Sequence, residues 1–84
     1  MITYVHVDGT LRRGHHEERF NMRRIRIFDF ATGEEIYPVI WADALNGSLM
    51  RYPQPGERPN ALHNGEPAVL DKRCKIFIGE TRED

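Results

Sequence analysis

The stretch "FDFATGEEIYPVIWADALNGSLMRY", residues 28 to 52, sets two turn signals between runs of β-forming residues. The first is Ala31-Thr32-Gly33-Glu34-Glu35, where Gly33 is free to take positive φ and reverse the chain. The second is Asn46-Gly47, which favours a mirror-type hairpin turn and delivers Ser48 to Tyr52 as the next strand. Between them, Ile36 to Asp43 puts Ile36, Pro38, Ile40 and Ala42 on one face and Tyr37, Val39 and Trp41 on the other. Apolar residues on both faces imply a strand covered on both sides for part of its length. Pro38 has no N–H to give to a ladder, which places this strand at an edge or at a bulge. The stretch reads as a three-stranded meander, and its turns are scaffold.

Outward from it, Ile2 to Val7 is rich in β-branched and aromatic residues and reads as a strand, with Asp8-Gly9 permitting a turn. Residues 10 to 18, TLRRGHHEE, are polar without a period and read as a loop. In "RFNMRRIRIFDF", residues 19 to 30, Phe20 and Met22 share one phase and Ile25 and Ile27 the other. A long strand bent near Arg23-Arg24 is the preferred reading, with one helical turn followed by a strand as the alternative. Residues 53 to 66, PQPGERPNALHNGE, hold three of the five prolines and read as a long loop. The last strand runs from Ala68 or Cys74 to Gly79, with Cys74, Ile76 and Ile78 on its buried face, and residues 80 to 84 form a polar tail. The expected fold is all-β: one domain over residues 1 to 84, a small antiparallel roll or barrel of five or six strands with little or no helix. Its core should include Ile25, Ile27, Ile40, Ile76 and Ile78, with Trp41 largely buried or at an interface.

Composition narrows the functional classes. The chain has 84 residues and a net charge of −1, so no global field attracts nucleic acid. No apolar run approaches the roughly 18 residues of a membrane span, and MITYVHVDGT reads as a strand, not a signal peptide. A single cysteine, Cys74, makes no intrachain disulfide and fits a reducing interior. The charge is segregated. Residues 12 to 26 hold six arginines against Glu17 and Glu18, whereas residues 27 to 71 hold seven carboxylates against Arg51 and Arg58.

Motifs for chemistry are weak. His15 and His16 are adjacent, and neighbouring side chains on extended backbone point oppositely, so they do not converge on a metal. Around Gly47 the spacing is that of a calcium loop, but Ala42 and Ala44 stand where the first carboxylates belong. No phosphate-binding glycine motif occurs, and no nucleophile, base and orienting acid are brought together. The expectation is therefore no enzyme, no cofactor and no metal. What remains is a surface: Arg12, Arg13, Arg23, Arg24 and Arg26, with Trp41 and Tyr52 as aromatic candidates for binding. Stacking aromatics beside cationic grooves bind single strands on small β-barrels, but a core this small needs its aromatics and the acidic middle repels phosphate.

The stretch from Arg26 to Tyr52 resembles small phage and prophage proteins of uncharacterised function, in a strand–TGEE–strand–D…G–strand–RY pattern. Here the pattern is carried by Thr32-Gly33-Glu34-Glu35, Trp41-Ala42-Asp43, Gly47 and Arg51-Tyr52, with DKRCKIFIGE at residues 71 to 80 fitting more loosely. The resemblance covers about a third to a half of the chain and marks turns, not chemistry. It implies a phage-like origin and a life in the cytoplasm of a bacterial host, and it carries over no catalytic residue. Together these readings favour a small accessory protein that binds a host or phage protein. A nucleic-acid module using the arginine strip is the alternative and a virion component the third reading. A homodimer through edge pairing or an exposed face is also expected.

Overall fold

Antiparallel ladders place directly opposed residues on one face of a sheet, and here they align the small set of apolar residues into rows. Leu11, Val5, Ala42 and Leu49 stand opposite one another across four strands, and all four are fully buried. The strands that carry them are β1 (Tyr4–His6), β2 (Thr10–Arg13), β5 (Val39–Asp43) and β6 (Ser48–Arg51). They belong to a seven-stranded antiparallel sheet completed by β3 (His16–Arg19), β7 (Ala61–His63) and β8 (Glu66–Lys72), in the order β3-β2-β1-β5-β6-β8-β7. A second sheet has two strands, β4 (Ile25–Asp29) and β9 (Ile76–Glu80). Its inward residues Ile25, Ile27, Ile76 and Ile78 join Ile2, Ile36 and the first row in one core. This computed structural model describes residues 1 to 81.

The fold is all-β, with a single 3-10 turn at Met22–Arg24 among the described residues and no α-helix. Among the described residues there are nine strands where five or six were expected, and the large sheet curls without closing into a barrel. Its curl is considerable. β1 and β7 are four strand intervals apart in the order, about 19 Å in a flat sheet. Yet the His6 and His63 rings lie 5.8 Å apart. β8 allows this because its first half pairs with β7 and its second half with β6, so the β7–β8 hairpin can fold back over the sheet.

Several expectations need correction. The polar stretch 10 to 18 is not a loop but most of the β2–β3 hairpin, turning at Gly14 with φ +61. Only its Leu11 enters the core, so it shows no hydrophobic period. The long bent strand is instead two elements: Asn21 accepts the Arg23 N–H through its side chain, one 3-10 turn follows, and β4 starts at Ile25. The turn expected at 31 to 35 forms slightly earlier, at 30 to 33, with Gly33 at φ +76 donating to the Asp29 carbonyl at 2.8 Å. The chain then meets β4 only through the bridge Phe28–Glu35 before crossing to the large sheet, so the meander is broken and β4 pairs with β9. Of the two places expected for β5, an edge or a bulge, the structure shows the second. It lies between β1 and β6, and the irregularity falls at Ile40, between Val39 and Trp41.

The expected loop at 53 to 66 ends earlier, because Asn64 (φ +52) and Gly65 (φ +83) form the two-residue turn of the β7–β8 hairpin. Ala68, Val69 and Ile40 are buried outside the main core cluster. The last strand is two strands, and Cys74 sits exposed in the bend between them instead of lining the core. Glu80 belongs to β9, while residues 82 to 84 of the expected tail lie outside the described residues. Ile25, Ile27, Ile40, Ile76 and Ile78 are all buried, as expected. Trp41 is half-buried, stacked on Tyr4 with ring centroids 6.4 Å apart.

Candidate functional site

Where the chain leaves β4 after Glu35, it opens a gap between the two sheets. Ile36 is held to Ile27 by a 2.8 Å backbone bond, but Tyr37 and Pro38 then carry the chain away to start β5. The gap is an apolar groove of about 410 Å³ with Ile25, Ile27 and Ile36 in its floor and Val7, Met22, Tyr37, Pro38, Val39 and Tyr52 along its walls. That volume falls within the roughly 300–1,000 Å³ typical of ligand sites. Val7, Tyr37 and Tyr52 are among the exposed large hydrophobic residues of the protein, and all three converge here. Tyr37 is the most open, at 75% exposure. Arg23, Arg26 and Glu35 form the polar rim. Arg26 reaches Glu35 at 3.7 Å, whereas Arg23 makes no ion pair among the described residues.

Beside the groove, sharing Glu35, Ile36 and Tyr37 with it, is a second and more polar cavity of about 470 Å³. One wall is a chain of ion pairs whose members are scattered along the sequence. Arg51 at the end of β6 grips Glu57 with two bonds of 2.6 Å and gives its Nε to Asp71 at 3.1 Å. Arg73 grips the same Asp71 with two bonds of 2.9 Å and reaches Asp29 at 2.7 Å. Asp29 also accepts the Ala31 and Thr32 N–H groups, which ties the network to the turn after β4. Planar guanidinium forks suit such shared carboxylates better than ammonium groups do.

The charges behave accordingly. Hydrogen bonds from Arg51 hold the Glu57 carboxyl down at about 2, and those from Arg73 hold Asp29 and Asp71 below the usual carboxylate range. Ion-paired in this way, the carboxylates tie loop 53 to 57, β6, β8 and the β4 turn together. Among the described residues no group of three histidines, cysteines or carboxylates is placed to hold a metal ion. His15 and His16 lie exposed at the tip of the β2–β3 hairpin.

The residues proposed from sequence divide between surfaces. Arg23, Arg26 and Tyr52 meet at the groove, next to Arg24 in the 3-10 turn. Arg12 and Trp41 lie elsewhere, on the solvent face of the large sheet. There Arg12 stacks over Tyr4 at 4.7 Å and pairs with Glu17 at 3.0 Å. Arg13 is taken up by Glu18 and Glu80. The expected arginine strip is therefore not one surface. Sequence reasoning missed Val7, Met22, Tyr37 and Val39, whose signal was apolar residues in excess of what one strand face can bury. Comparison with protein-family models, curated proteins and solved structures gives no match. No helix among the described residues is long and apolar enough to cross a membrane.

Proposed function

We propose that the protein is a non-enzymatic adaptor that binds a host or phage protein by taking an apolar anchor of that partner into the groove between its two sheets. The observation that carries this reading is the convergence of exposed Val7, Tyr37 and Tyr52 on one concave apolar site. Exposed apolar surface gathered in one place marks interaction sites, whereas single exposed residues do not. The rim defines the anchor's chemistry. Arg23 and Arg26 outnumber Glu35, which favours large apolar side chains followed by a carboxylate. A phage-like pattern in residues 26 to 52 supports a partner in the bacterial cytoplasm.

Nucleic acid is the less favoured partner because Arg12, Arg13 and Arg26 each already have a carboxylate within 4.0 Å, which reduces their pull on phosphate. The test is capture from nuclease-treated bacterial lysate by the wild type and by Tyr37→Lys. Tyr37 is exposed, so the substitution leaves the fold intact while putting an ammonium in the groove. A protein retained by the wild type and lost with Tyr37→Lys supports the reading. It must also shift the methyl resonances of Val7, Met22 and Val39. Retention that needs nucleic acid, or that ignores the substitution, refutes it.

A further inference from the structure

Resting on the groove reading, we infer that Gln54 positions Tyr37, so that loop 53 to 57 sets the shape of the groove and the fit of the anchor it takes. The starting point is a thin partition. Glu35, Ile36 and Tyr37 line both cavities, so one stretch of chain divides the apolar groove from the polar cavity. After its single bridge at Glu35, this stretch belongs to neither sheet until β5 begins at Val39. At 75% exposure the Tyr37 side chain is not pinned by packing, so its place as a wall depends on what holds its backbone.

The two ends of the partition are held unequally. Ile36 donates to the Ile27 carbonyl at 2.8 Å, whereas Pro38 accepts from the Tyr52 N–H at 3.4 Å, beyond the usual range for such a bond. Between them, the Tyr37 carbonyl accepts from the side-chain amide of Gln54 at 3.0 Å. The backbone of the wall residue itself is thus held by a side chain from the loop.

An exposed glutamine on a free loop would hold little, because the loop and the side chain must first be ordered. Gln54 is on an ordered one. Gln54-Pro55-Gly56-Glu57 is a closed turn in which the Glu57 N–H donates to the Gln54 carbonyl at 2.9 Å. Proline followed by Gly56 at φ +82 is the pattern of a type II turn. The Gln54 N–H donates in return to the Glu57 carboxylate at 3.0 Å. That carboxylate is gripped by Arg51, which also gives its Nε to Asp71. The turn is therefore fastened to β6 and β8 and presents the Gln54 amide to Tyr37 from a fixed base. Support of this kind, one shell behind the contact surface, is what keeps a binding site in its productive shape. The loop also starts at the other wall, since Tyr52 lies two residues before Gln54, so one short segment braces both tyrosines of the groove. Long loops without secondary structure of their own are commonly functional, and bracing the groove is the function of this one.

Gln54→Met tests the brace, because it keeps the length and neutrality of the side chain and removes the donor. The first readout needs no ligand: the carbonyl carbon resonance of Tyr37 should shift upfield in the variant while that of Ile27 stays in place. The urea midpoint should not move, since Gln54 is exposed and buries no core surface. The second readout is binding of N-acetyl-tryptophan, a large apolar side chain beside a carboxylate, followed through the methyl resonances of Val7, Met22 and Val39. Its affinity should fall roughly two- to tenfold, the worth of one hydrogen bond spent on positioning. An unmoved Tyr37 carbonyl overturns the inference, and so does a moved carbonyl with unchanged affinity. A wild type whose Val7, Met22 and Val39 methyls ignore the probe overturns the groove reading and, with it, the claim on fit. The Tyr37 carbonyl, read without ligand, keeps those two failures apart.

Discussion

Two glycines with nearly the same backbone angle separate the cost of conformation from the cost of close approach. Gly33 has φ +76 and open space around the position of a Cβ, whereas Gly47 has φ +68 and a Cβ there would overlap the Arg73 carbonyl. Alanine at either position bears the left-handed conformation, which costs about 1–2 kcal/mol. At Gly33 nothing more is added. At Gly47 the obstacle is backbone, and it is not free to move: the Arg73 N–H donates to the Gly47 carbonyl at 2.8 Å, and the Arg73 side chain is fixed between Asp71 and Asp29. Relief of the overlap breaks that backbone bond, worth about 1 kcal/mol, and strains the network behind it. Gly47→Ala should therefore cost about 3 kcal/mol or more, and Gly33→Ala about 1–2 kcal/mol. At about 4–8 °C per kcal/mol for a domain this small, the melting temperatures should fall by roughly 12 °C or more and by roughly 4–16 °C. Because those ranges meet, the decisive quantity is the difference between variants in urea-unfolding free energy at one temperature. Equal losses within error would refute the claim that Arg73 presses on residue 47.

Three further outcomes follow from the same geometry. Ile76→Ala removes a side chain that is 3% exposed and should cost about 2–4 kcal/mol; an unchanged urea midpoint would mean that β9 does not face the core. For acid, Glu57, Asp29 and Asp71 have folded values below their unfolded ones, so the unfolded chain takes up protons first as pH falls. Their contribution is complete above about pH 4.5 and is lost as pH drops toward about 2, and Glu57→Gln should flatten that acid limb in a melting series. Arg12→Ala should cost only about 0.5–1 kcal/mol, because its stack on Tyr4 and its pair with Glu17 are both solvent-exposed. Trp41, the single tryptophan, rests on the same Tyr4 and should report the change in its fluorescence.

The sequence by itself determined the class and the local punctuation. β-branched and aromatic runs broken by glycine turns can hardly be anything but strands. Gly33 and Gly47 adopt positive φ, as their turns require, and the isoleucines at 25, 27, 40, 76 and 78 are buried. The polar hairpin at 10 to 19 escaped because a strand with one buried residue leaves no period to read. Asn64-Gly65 carries the same signal as Asn46-Gly47, but its strands are short and follow a proline-rich run, so the turn was absorbed into a loop. Tertiary structure alone decided which strands meet. A period of two assigns a residue to a face and says nothing of the neighbour, so the pairing of β4 with β9, some 50 residues along the chain, was not legible. The same holds for the site. Val7, Met22, Tyr37 and Tyr52 are far apart in sequence and form one groove only because the chain leaves β4 at Glu35 to join the other sheet. Arg51, Glu57, Asp71, Arg73 and Asp29 read as scattered charges until two sheets and a loop bring them into one network, where hydrogen bonding among them offsets the cost of taking them partly out of water.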